Sequence, residues 1–117
     1  MPAKSKSDLQ WKKLEKQVRQ VWVKGDPKTS GAEFVVRYRA KVRLHIPPHW
    51  HPGDEHITVL AGKFGIGKGR AYNSKRLRIL RPGAYFFMPA RQPHFSWFEK
   101  GAEVQVHGTG PFVTNYA

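Results

Sequence analysis

Across Phe34–Ile46 apolar and polar residues alternate, without a break from Val36 onward. Val36, Tyr38, Ala40, Val42, Leu44 and Ile46 hold one parity, and Arg37, Arg39, Lys41, Arg43 and His45 hold the other. A period of two sustained this long predicts a strand with one buried and one charged face. Pro47 and Pro48 are expected to end it, because neither can donate to a strand ladder. Shorter runs at 56–60, 64–66, 77–80, 84–88, 94–98 and 103–107 also read as strands, separated by turn signals such as Ala61-Gly62 and Pro82-Gly83. Upstream, from Leu9 on, Trp11, Leu14, Val18 and Val21 fall at three- and four-residue spacings. A short turn or helix is expected there, followed by a strand at 18–23 that stops at Gly25-Asp26-Pro27. Short strands with no long helical pattern between them predict an all-β sandwich or barrel. We place one domain at 18–117 behind a basic N-terminal extension, 1–17.

Composition narrows the function classes. A chain of 117 residues has room for one domain, and seven Phe, four Tyr and four Trp supply enough apolar surface for a core despite the charge. The absence of cysteine excludes a disulfide framework, a thiolate zinc finger, an iron–sulfur site and a cysteine nucleophile, which leaves soft-ligand chemistry to six histidines. No apolar stretch approaches the roughly 18 residues of a membrane span, and the N-terminus lacks the apolar segment of a signal peptide. A cytoplasmic location is expected, or a periplasmic one if a leader has been removed. The formal charge of +13 is uneven. Residues 63–81 hold Lys63, Lys68, Arg70, Lys75, Arg76, Arg78 and Arg81 with no acid, whereas 47–62 and 82–117 are slightly acidic. Such charge reads first as a solvated surface and second as a footprint for an anionic partner. No helix-turn-helix, zinc-finger or RNP pattern accompanies it, so nucleic acid is not the expected partner.

The acidic segments carry the chemistry. In Pro47-Pro48-His49-Trp50-His51-Pro52-Gly53-Asp54-Glu55, two imidazoles two residues apart project to the same side of an extended backbone. A turn at Pro52-Gly53 is expected to fold the next strand back as a hairpin and bring Glu55 alongside. Imidazole nitrogen and carboxylate oxygen suit a divalent first-row metal, and the distant His94, preceded by Pro89 and Pro93, is a candidate fourth ligand. His56 has the opposite parity to Glu55 and is expected to face away; His45 falls on the charged parity. The glycines of Gly62-Lys63-Phe64-Gly65-Ile66-Gly67-Lys68-Gly69 are spaced like a phosphate loop, but no helix-forming segment follows, so they are assigned to a twisted strand and hairpin.

Pro48-His49-Trp50-His51-Pro52-Gly53-Asp54-Glu55 with Gly62 resembles the first cupin motif, and Gly83 to His94, with Pro89 between, resembles the second. The likeness spans residues 18–117. It implies a double-stranded β-helix, or jelly-roll, cupin barrel of the small bacterial kind, with His49, His51, Glu55 and His94 as metal ligands. One divalent ion is implied, Fe, Mn, Ni or Zn, together with a small-molecule ligand or substrate and a homodimer. Oxygenase, isomerase or lyase chemistry is the enzymatic expectation, on a small organic substrate for which the basic surface suggests an anion; a metal- or ligand-sensing module is the alternative, and a basic nucleic-acid-binding barrel the third. Gln105 and His107 share a parity and are expected to reach the pocket or to be satisfied interior groups. Phe95 and Trp97, with Trp50 and Phe86, are expected in an apolar pocket wall, in the core or at a dimer contact. Two positions depart from the motif: Arg91 stands where glycine is usual, and Phe98 where asparagine is usual.

Overall fold

A computed structural model describes residues 16–117; the expectations for 1–15, including the turn or helix from Leu9, lie outside that range. Ten strands are present among the described residues: β1 (Val18–Lys24), β2 (Glu33–Ala40), β3 (Leu44–Trp50), β4 (Glu55–Ala61), β5 (Phe64–Lys68), β6 (Arg78–Leu80), β7 (Tyr85–Met88), β8 (His94–Phe98), β9 (Glu103–Thr109) and β10 (Asn115–Tyr116). They form two antiparallel five-stranded sheets, β1-β2-β9-β4-β7 and β10-β3-β8-β5-β6. From β2 onward the chain changes sheet at every connection except β5 to β6, the winding of a double-stranded β-helix. The core lies between the sheets, with Phe34, Val36, Ile57, Val59, Val104 and Val106 from one and Leu44, Phe64, Ile66, Leu80 and Phe98 from the other.

The alternating segment at 34–46 is two strands, not one. β2 ends at Ala40 in the first sheet and β3 begins at Leu44 in the second. Alternation continues through the corner although Val42 there is exposed. Backbone bonds explain the break: Ala40 N–H donates to Ala102 O, Gly101 N–H to Ala40 O and Lys41 N–H to Gln17 O, so the chain is tied to neighbouring turns instead of continuing the ladder. The prolines do not end β3 either. Its register against β8 shifts between Ile46 and His49, and Pro47 and Pro48 occupy that irregularity, where no ladder donor is needed. Nor is 47–55 a hairpin, since β3 and β4 belong to opposite sheets and Pro52-Gly53 carries the chain across the barrel.

Candidate metal centre

Both sheets contribute to one buried cluster. His49 lies in β3 opposite His94, the first residue of β8, and His51 follows β3. Glu55 opens β4 on the facing sheet. All four are buried, and one ring nitrogen from each of His49, His51 and His94 can be chosen so that the three lie within 4.8 Å of one another. Glu55 Oε1 is 3.3 Å from His51 Nε2 and 3.5 Å from His94 Nε2.

The outer nitrogens fix the tautomers. His49 Nδ1 is 2.8 Å from Pro47 O, His51 Nδ1 is 2.9 Å from Val113 O, and His94 Nδ1 is 2.8 Å from Gln92 O. A carbonyl oxygen only accepts, so each Nδ1 carries the proton and each neutral ring keeps a bare Nε2 lone pair. Burial keeps the rings neutral. It is the main cause that holds His49 well below the usual imidazole range, with His94 and His51 adding to it, and that pulls His51 down to about 3; it lowers His94 as well. The same desolvation pushes the Glu55 carboxyl up to about 8.

These groups do not satisfy one another. Glu55 Oε1 is, among the described residues, the buried side-chain polar atom without a hydrogen-bond partner. A carboxylate oxygen facing aprotic nitrogens requires a cation or a proton between them. Three imidazoles and one carboxylate, each imidazole oriented by a backbone carbonyl, fit a divalent transition ion.

Around the cluster is a cavity of about 70 Å³ whose wall is mainly aliphatic and aromatic. Its polar lining beyond the cluster is Tyr38, Ser96, Thr114 and Tyr116. Burial raises both phenols, Tyr116 to about 12. No Lys or Arg lines it, and every Lys and Arg among the described residues is exposed. Phe98 is buried in the wall, 4.9 Å from the Phe64 ring, so this departure from the motif makes the cavity more apolar.

The other expected pocket residues lie elsewhere. Gln105 and His107 face outward from β9, where Gln105 accepts from Arg37 Nε (2.9 Å) and His107 Nε2 meets Glu33 Oε1 (2.6 Å); Val104 and Val106 line the cavity instead. Phe95 is fully buried but outside the cavity, against the Tyr72 ring at 5.1 Å, and Trp97 has the same parity. Ser96, which shares the parity of His94, takes the inward position. His56 faces outward and His45 is exposed, as their parity predicts. The C-terminal contributors Phe112, Thr114 and Tyr116 carry no motif; the weak β-pattern after Pro111 is the only hint of them in the sequence.

A family model, the ChrR Cupin-like domain, matches residues 3–113. The chain belongs to this cupin family. Among solved structures, the cupin is similar to KdgF from Halomonas sp. at 20% identity and TM-score 0.65, over 82% of this chain and 81% of that one. It is similar to the polyketide cyclase RemF from Streptomyces resistomycificus at 18% identity and TM-score 0.68, over 87% and 72%. The DMSP lyase DddQ from Ruegeria pomeroyi DSS-3 matches at 22% identity and TM-score 0.64, over 80% of this chain and 47% of that one. A search of curated proteins gives no match. No helix among the described residues is long and apolar enough to cross a membrane.

Proposed function

We propose that this cupin holds one divalent transition ion, Fe, Mn, Ni or Zn, through Nε2 of His49, His51 and His94 and the carboxylate of Glu55, and uses it to bind a small organic molecule. The observation that carries this is Glu55 Oε1, buried and unpartnered beside the bare nitrogens of His51 and His94. A bound ion would supply Lewis-acid polarisation of a substrate oxygen. The chain's own groups select the rest: aliphatic and aromatic walls exclude water and favour an apolar body, while the hydroxyls of Tyr38, Ser96, Thr114 and Tyr116 offer hydrogen bonds to oxygen substituents. With no Lys or Arg in the lining, an anionic group would have only the metal as cationic partner.

Reaction of that molecule, by oxygenase, lyase or isomerase chemistry, is the first form of this proposal; the neighbours named as lyase and cyclase show how varied the chemistry on this fold is. A ligand-sensing module is the second, and one observation favours it: beyond the proposed ligands, the titratable groups of the lining are two phenols whose pKa values burial raises, which makes them poor bases at neutral pH. Loading the protein with each ion in turn and following candidate small oxygenated molecules for turnover and saturable binding separates the two. Turnover, with substrate-dependent O2 uptake if iron supports an oxygenase, establishes the enzyme. Saturable binding without turnover establishes the sensor, and neither binding nor turnover with any ion contradicts both. We further propose a homodimer through strand β1, a sheet edge that exposes Val21, Trp22 and Val23.

A further inference from the structure

The outer face of the first sheet carries a second pair of imidazoles that the buried centre does not use. His56 in β4 and His107 in β9 are directly opposite in register, and their ring centres are 5.6 Å apart. Each ring has one nitrogen engaged by an oxygen. His107 Nε2 is 2.6 Å from Glu33 Oε1, and the Glu33 carboxylate is held from its other side by Lys24 Nζ at 3.2 Å. A carboxylate only accepts, so Nε2–H is the donor and the neutral ring keeps a bare Nδ1. His56 Nδ1 is 2.5 Å from the Tyr85 hydroxyl; with Nδ1–H donating there, Nε2 is bare. An imidazole oriented by an oxygen on one nitrogen and free on the other is the arrangement that prepares a metal ligand, and the buried histidines show it too. With metal–nitrogen bonds of about 2.0–2.1 Å, two imidazoles on one tetrahedral ion have ring centres roughly 5 Å apart. The observed spacing comes within reach of this by small side-chain rotations on an exposed face.

We propose that His56 and His107 form a second, surface site for a divalent ion that favours imidazole, such as Zn(II) or Cu(II), with Glu33 and Tyr85 as orienting partners. Two protein ligands leave the remaining positions to water or to a donor from another molecule. The site does not depend on the buried one. Titration of the metal-stripped protein with Zn(II), followed by calorimetry and by the histidine NMR signals, tests it. We expect two equivalents on the unaltered chain, one of which broadens or shifts the His56 and His107 signals. His107→Asn and His56→Asn should each remove that equivalent or weaken it at least tenfold, while His49→Ala should keep it. Retention of the surface equivalent in His107→Asn overturns the site, as does weakening of less than threefold in either variant, which would mean one imidazole suffices. If the unaltered chain binds a single equivalent, its loss in His107→Asn supports the surface site and contradicts the buried one, and its loss in His49→Ala does the reverse. Unchanged far-ultraviolet circular dichroism of both surface variants excludes unfolding as the cause.

Discussion

Arg91 has a φ of 64°, the left-handed region that a side chain enters at a cost and glycine enters freely. Its N–H donates to His51 O at 2.8 Å and the N–H of Ala90 beside it donates to Asp54 Oδ1 at 2.7 Å, so the loop that delivers His94 is fastened to the loop that follows His51. The motif's usual glycine at this position therefore has a conformational reason, and Arg91→Gly, which relieves about 1–2 kcal/mol of left-handed strain against about 0.4–1 kcal/mol of added unfolded-chain entropy, should stabilise the chain by a net of roughly 0.5–1 kcal/mol in urea denaturation. The buried cluster sets the pH response of the metal-free chain. Imidazoles lowered on folding are protonated in the unfolded chain first, so their stabilising contribution is present above about 6.5 and is lost as pH falls, toward about 3 for His51. The Glu55 carboxyl is raised, so its contribution is present below about 4.5 and is lost as pH rises toward about 8. Three imidazoles against one carboxyl place the site's optimum near pH 6.5, and thermal denaturation of metal-free protein from pH 5 to 8.5 should show stability declining on both sides of it. Glu55→Gln should abolish the alkaline decline. A decline that survives in Glu55→Gln would assign it to another group. The shared side of His49 and His51 is legible in the sequence because residues two apart in extended backbone project the same way, whereas His94 is marked by its prolines and by the motif resemblance. For Gln105 and His107 the shared parity holds, but parity alone does not say which face of β9 turns inward, and the apolar Val104 and Val106 take that face.

Two elements hold the cluster in place from outside the motifs. β10 pairs Tyr116 with His49 and Asn115 with Trp50, and the segment before it supplies Val113 O to His51 Nδ1 and stacks Phe112 on the His51 ring, 4.7 Å centre to centre. Phe112 also packs against Phe34 at 4.8 Å. Phe112→Ala should thus cost about 2 kcal/mol, less than a fully buried phenylalanine, and weaken metal binding about tenfold; Phe112→Leu should recover most of both. Loss of stability with unchanged metal affinity would leave Phe112 a packing residue only. Further along the same sheet, in β5, a Cβ at Gly67 would lie 2.5 Å from Phe95 Cε2 and 3.0 Å from Arg76 O. Phe95 is fully buried and cannot retreat, so Gly67→Ala should destabilise by about 1–3 kcal/mol in the same assay. The strand content was readable from alternation and turn residues, and most strand positions follow it. The corner at 41–43 and the departure of β4 from a hairpin were not. Alternation reports which face a residue takes, not which sheet its strand joins, and a corner that keeps the period is silent in sequence.

Across the whole molecule the charge and the chemistry are separate. Every Lys and Arg among the described residues is exposed, none lines the cavity, and the proposed ligand set would meet a divalent ion with one carboxylate and three neutral rings, which leaves one net positive charge at the site. Retention on a cation exchanger should therefore fall steeply with salt, while metal affinity at the buried site should change little between 50 and 500 mM salt. Strong salt dependence of metal affinity would place the ion among exposed charges instead. The most direct test of the central claim is elemental analysis of metal-reconstituted protein beside His49→Ala and His94→Ala, with the surface pair removed by His107→Asn in all three. We expect close to one divalent ion per chain in the parent and loss of it in both variants. A parent that takes up no ion, or variants that keep a stoichiometric one, would contradict a metal centre built on His49, His51, Glu55 and His94.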